Sequence, residues 1–149
     1  MNITILCIGK LKEKHWIDAS AEYVKRLGKY CVLQIDELKE SDKDDRDEEG
    51  VNLLKKIKKD DYVIALQIEG TETDSEGLAS KIEALSIAGK SKVIFIIGGS
   101  EGLSKEVIDR ADHSLSFSKM TFPHQMMRVI LLEQIYRSFK IIKNEKYHK

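Results

Sequence analysis

The run Val93-Ile94-Phe95-Ile96-Ile97 limits what this chain can fold into more than any other segment. A strand with one wet face alternates apolar and polar residues, and this one does not alternate, so it is covered on both faces. It is far short of the ~20 apolar residues that a membrane helix needs. Gly98-Gly99-Ser100-Glu101-Gly102 follows directly. A fully buried strand ending in a glycine turn is the repeating unit of a parallel sheet flanked by helices. Ile3 to Ile8 and Tyr62 to Gln67 repeat the pattern, and Cys31 to Ile35 and Leu115 to Phe117 read as shorter strands.

Between these runs the apolar spacing changes to three and four residues. Trp16, Ala19, Tyr23 and Leu27 mark one amphipathic helix, and Val51, Leu53, Leu54 and Ile57 mark a second. Thr73 and Glu76 have capping-box spacing before a third helix, which Gly89 can end. Ser104 caps a short helix, and a last one spans about Gln125 to Asn144. The expectation is an α/β fold, one domain over residues 1–149, with a mostly parallel sheet flanked by helices. No repeat, low-complexity tract or linker divides the chain, and Pro123 is the only proline.

Cys7 and Cys31 lie in apolar strand-like contexts with no CxxC, which suits two reduced thiols better than a bridge. None of the four histidines has metal-ligand spacing. No basic leader precedes the first strand, so a cytoplasmic protein without metal or membrane contact is expected.

In an open parallel sheet, ligands bind beyond the carboxyl ends of the strands. Three segments occupy such positions: Leu66 to Gly70, the glycine loop after Ile97, and Phe117 to Phe122. The G-G-x-x-G spacing of Gly98, Gly99 and Gly102 fails the dinucleotide fingerprint and lacks the Lys-Ser/Thr of a P-loop. A plain strand-to-helix turn explains that loop equally well. In FSKMTFPHQMMR, Phe122 is kept out of helical geometry by Pro123, giving an extended loop before a long helix. Taken alone, Phe117, Met120 and Phe122 read as core residues. His124 is at the helix entrance, and Arg128 is one turn further on. Glu133 and Arg137 are spaced for a surface salt bridge. Tyr147 and His148 are in a tail that would ordinarily fray.

The order VIFIIGGSEGL, LSFSKMTFPHQMMRVILLEQIYRSFKI and terminal YHK resembles the ribosomal RNA large subunit methyltransferase H family, whose members are trefoil-knotted SPOUT methyltransferases. The resemblance extends to the opening ITILCIGKLKEKHW and to EYVKRL. It implies a C-terminal knot and methyl transfer from S-adenosyl-L-methionine to N3 of a pseudouridine in large-subunit (23S) rRNA of assembled ribosomes. By that likeness, cofactor contacts fall on Leu66, Gly98, Phe117, Ser118, Lys119, Met120, Thr121 and Phe122. Arg128 is expected to position or polarise the base or a phosphate, with Tyr147 and His148 closing over it from a partner subunit. A homodimer is expected to bury the apolar side of the last helix (Met127, Ile130, Leu131, Ile135). The alternatives are a non-catalytic α/β RNA-binding assembly factor and a flavodoxin-like nucleotide enzyme.

The formal net charge is zero, from 25 Lys+Arg and 25 Asp+Glu. That sum is a cancellation. Residues 36–49 hold nine acids and three bases, whereas residues 119–149 hold seven bases and two acids. Residues 9–29 add six bases against three acids. The expectation is a basic side facing RNA with the acidic segment turned away.

Overall fold

A computed structural model describes residues 1–149. The apolar runs become β1 (Asn2–Ile8), β2 (Val32–Leu38), β3 (Tyr62–Glu72), β4 (Lys92–Ile97) and β5 (His113–Ser116). They form one sheet in the order β2-β1-β4-β3-β5, with every neighbouring pair parallel. The helices are α1 (Lys14–Leu27), α2 (Arg46–Leu54), α3 (Ser75–Ile87), α4 (Lys105–Arg110) and α5 (His124–Ile142).

The two-faced burial inferred from β4 holds for the middle of the sheet. Val93 to Ile97 are all buried, as are Ile3 to Ile8 of β1. Alternation sends Ile3, Ile5, Cys7, Val93, Phe95 and Ile97 to one core, with Leu27 of α1, Leu78 and Ile82 of α3, and Leu131, Leu132 and Ile135 of α5. Leu6, Ile8, Ile94 and Ile96 point the other way, onto Leu53 of α2 and Val107 of α4. Thus α1, α3 and α5 cover one face, and α2 and α4 the other. Deleting a ring as enclosed as Phe95 typically costs about 3–5 kcal/mol.

Several boundaries differ from the periodicity reading. The second helix begins at Arg46, inside the segment expected as an acidic loop. Asp45 caps it, accepting from the Asp47 and Glu48 amides at 2.9 and 3.2 Å. Asp47, Glu48 and Glu49 occupy the first turn, where the helix dipole favours carboxylates. At α3, Asp74 is the cap, accepting from the Gly77 amide at 2.7 Å, one residue after the expected Thr73. Gly89, at φ +73°, ends that helix as anticipated. β2 extends past Ile35 because Leu6, Cys7 and Ile8 pair with Asp36, Glu37 and Leu38. The apolar side of α5 also needs correcting. Leu131 and Ile135 are fully enclosed within the chain and cannot line a subunit interface, whereas Met127 and Ile130 are half-buried.

Candidate functional site

At the carboxyl end of β3, Leu66 pairs with Leu115; the chain then leaves register and returns with Thr71 opposite the same residue. Residues 67–70 therefore bulge from the sheet. Gly70 makes this possible, because a Cβ there would lie 2.7 Å from the Leu115 carbonyl carbon and 2.9 Å from its nitrogen. The bulge aims Gln67, Ile68 and Glu69 over the end of the sheet.

The glycine loop after β4 is equally tight. A Cβ on Gly98 would sit 2.6 Å from the Gly102 carbonyl oxygen, and the Gly102 amide donates to the Gly99 carbonyl at 3.1 Å. Ser104 then caps α4 through the Val107 amide. After β5, the Ser116 hydroxyl donates to the Ser118 carbonyl at 3.1 Å. The Ser118 hydroxyl accepts from the Met120 amide at 3.0 Å. Pro123, extended at φ −55° and ψ 134°, delivers the chain into α5.

These three turns enclose a cleft of about 810 Å³. Leu66, Gly98, Phe117, Ser118, Met120, Thr121 and Phe122 all line it. Of the residues expected around a cofactor, only Lys119 is outside; it is exposed and faces solvent. Met120 is 72% exposed and forms the rim. Ile97, Leu103 and Leu115 supply an apolar floor. Arg46 and Glu101 also reach the cleft. Sequence gave no signal for Arg46, which sits in an acidic run and reaches the cleft only because α2 starts at that residue.

The acidic segment is not turned away. Asp44 accepts from the Ser100 hydroxyl of the glycine loop at 3.3 Å. Glu49, 5% exposed, accepts from the Ser41 amide at 2.9 Å and lies beneath Gly99. Glu40 approaches the cleft residue His124 at 3.9 Å. Asp44 and Glu49 pack against the glycine loop because α2 and its cap lie on that side of the sheet.

Arg128 does not open onto the cleft. Its side chain, 2% exposed, donates to Glu37 Oε2 at 2.6 Å and to the Gly9 carbonyl at 2.8 Å, while Nε is buried without a partner. A guanidinium so engaged has no free face for a base or phosphate. It braces the ends of β1 and β2 against α5.

The tail folds back on its own chain, away from the cleft. Tyr147 packs edge-on to Tyr136 at 4.9 Å, lies under the Arg137 guanidinium at 4.7 Å, and donates to Glu133 Oε1 at 3.1 Å. Burial, aided by the Glu133 charge, pushes its phenol pKa well above the ordinary value. In this seat Tyr147 is a donor and not a base. His148 lies 3.3 Å from Arg137 and 3.7 Å from Glu76. The Glu133–Arg137 pair is therefore a half-buried seat for the tail and not a free surface bridge, with both Nε and Nη2 on one carboxylate oxygen at 3.1 and 2.6 Å.

An all-parallel sheet with a bulged strand end, a pinched glycine loop and an extended loop-to-helix entry defines a binding cleft of one particular α/β class. The family described as "Predicted SPOUT methyltransferase" matches residues 1–148, and the chain belongs to that family. It is 54% identical to the ribosomal RNA large subunit methyltransferase H of Clostridium novyi (strain NT), over the full length of both chains. A relative from Methanococcus maripaludis (strain C5) is 55% identical, again over the full length of both. The tRNA (m1G37) methyltransferase of Aquifex aeolicus superposes with a TM-score of 0.56 over 92% of this chain and 70% of that one. At 13% identity that likeness speaks for the fold alone.

Proposed function

We propose that this methyltransferase moves a methyl group from S-adenosyl-L-methionine to N3 of a pseudouridine in the large-subunit rRNA of assembled ribosomes. The observation that carries the reading is the cleft, in which seven of the eight expected cofactor positions converge. Full-length identity to relatives named for large-subunit rRNA supports the substrate class. The donor set suits an adenine nucleoside. Leu66, Ile97, Leu115 and Phe117 offer apolar surface to a ring, and the glycine loop with Ser118, Met120 and Thr121 borders its edge.

When bound, S-adenosyl-L-methionine would supply a methyl group already activated on sulfur, and the cleft would hold N3 against it with the imide proton released to solvent. The chain's own task is to hold N3 in line, which can supply several kcal/mol of the barrier. The pinched Gly98–Gly102 turn and the β3 bulge provide rigid walls for this. Arg128 serves as a positioning residue through Glu37 and Gly9. Since the tail seats on α5 outside its own cleft, Tyr147 and His148 act on the partner's cleft in a homodimer. The reading includes the C-terminal knot, with α5 passing behind the 117–122 loop, and a cytoplasmic setting. No helix is long and apolar enough to cross a membrane.

The test is labelled methyl transfer to purified ribosomes followed by nucleoside analysis. Label in N3-methylated pseudouridine is expected; label elsewhere, or none, overturns the reading. Calorimetry with S-adenosyl-L-methionine is expected to show binding, which an assembly factor or a flavodoxin-like enzyme would not. In a folded dimer, His148→Ala is expected to slow single-turnover transfer by at least ~10-fold. An unchanged rate removes His148 from the chemistry, and a monomeric elution volume with full activity removes the shared site.

A further inference from the structure

The loop joining β1 to α1, Gly9 to Glu13, has a role that the cleft does not account for. Lys10 and Lys12 are exposed there, and Lys14 and His15 follow on the first turn of α1. Lys14 pairs with Asp18 on its own helix, whereas Lys10 and Lys12 have no ion-pair partner. Both line a groove of about 610 Å³ between this loop and residues 37–42. Of the acids in that groove, Glu37 is matched by Arg128 and Asp42 by Lys39, leaving Glu40 against two free ammonium groups.

Exposed loop lysines usually wander, but the backbone carrying these two is fixed at successive points. The Gly9 amide donates to the Leu38 carbonyl at 2.8 Å, and the Gly9 carbonyl accepts from Arg128 at 2.8 Å. The Leu11 amide donates to Glu37 Oε2 at 3.1 Å, the oxygen that Arg128 also holds. The Lys12 amide donates to Gln125 Oε1 at 2.9 Å. Gln125 follows His124, and His124 and Met127 line the cleft. Two free cations are thus held at a set place beside the cleft mouth, by bonds that reach the first turn of α5.

We infer that Lys10 and Lys12 form a docking clamp for an RNA backbone, gripping phosphates beside the nucleotide presented to the cleft. The Arg128–Glu37 bracket keeps that clamp in register with the cleft. An RNA strand fits better than a protein surface because the unmatched charge is positive and set beside a groove, without an apolar centre around it. The inference rests on the proposed rRNA reaction.

The experiment compares Lys10→Ala/Lys12→Ala and Lys10→Arg/Lys12→Arg with the unaltered protein. It measures methyl transfer to purified ribosomes, ribosome binding across a salt series, and S-adenosyl-L-methionine affinity. The alanine pair is expected to keep its cofactor affinity while KM for ribosomes rises about 10- to 100-fold. The slope of log K against log[salt] is expected to fall by about 1.5, the value for two lost phosphate contacts. The arginine pair is expected to retain the slope. An unchanged KM beside an active unaltered protein overturns the clamp alone. Weaker binding with an unchanged slope assigns the loop to a protein contact and overturns it equally. If the unaltered protein transfers no methyl group to ribosomes, the function reading falls and the clamp falls with it.

Discussion

The two ends of the row of strand tips are built in opposite ways. Under the cleft, at β3, β4 and β5, the walls are shaped by backbone against backbone. Gly70 presses on Leu115 and Gly98 on Gly102, and the closest constraints there are between main-chain atoms. At β1 and β2, shape comes from long-range side-chain bonds, with Arg128 and Gln125 of α5 holding a loop more than a hundred residues earlier. Where backbone packing sets the shape, a single added methyl group is enough to disturb it. Where ion pairs set it, the polar groups are consumed and the region serves as a brace.

The largest effects should therefore come from the smallest atoms. Gly98→Ala puts a methyl group 2.6 Å from a backbone oxygen that cannot rotate away. It is expected to weaken S-adenosyl-L-methionine binding at least ~10-fold in calorimetry, at about 1–3 kcal/mol of stability. Unchanged binding would show that the loop is slack and break the comparison. At the other end, Arg128→Met strands the Glu37 carboxylate and is expected to cost about 2–4 kcal/mol in urea unfolding, discounted because Glu37 keeps partial solvent access. Adding Glu37→Met should recover part of that loss, and a purely additive double variant would refute the bracket.

A subtler probe uses the buried thiol beneath the same bracket. Burial raises the Cys7 pKa from 9.0 to about 11. Below pH 9 both folded and unfolded chains hold the proton, so the stabilisation is fully present. Between pH 9 and about 11 only the folded chain holds it, and stability falls as pH rises, by roughly 2–3 kcal/mol from this group. Cys7→Ala should remove this group's share of the alkaline limb in unfolding experiments at pH 8 to 11, leaving that of the similarly raised Cys31, and an unchanged limb would mean that the Cys7 thiol is hydrated. Smallest of all is Tyr147→Phe, which removes the bond to Glu133 and is expected to cost about 1 kcal/mol or less in thermal unfolding. A larger loss would mean that the tail belongs to the core.

The same contrast explains what sequence could and could not reveal. The inner strands were legible because Val93 to Ile97 and Ile3 to Ile8 carry their burial on both faces in their composition. The three cleft segments were legible because glycine and pre-proline positions announce turns at strand ends. The brace was not. An arginine on an apolar helix face shows no sign of a carboxylate 91 residues away, so the expectation of a substrate-facing Arg128 misses its partner. Net charge gives the acidic segment no direction, and the contacts of Asp44 with Ser100 and of Glu49 with Gly99 show only in three dimensions. The β3 bulge also escaped, since its cause lies in the backbone of β5.

The strand order has a consequence for how the protein is made. β1 is made before the other strands, yet it lies inside the sheet, pairing with edge strand β2 on one side and with the central strand β4, about ninety residues later, on the other. One ladder of that strand can close early, while the other stays open until β4 has been made. Closing its helical cover must wait for α5, the last helix of the chain. Parallel pairing across such separations is slow and leaves apolar edges bare in the interval. Completion of this fold thus waits for α5, and until that helix is made the chain carries its most apolar strands uncovered.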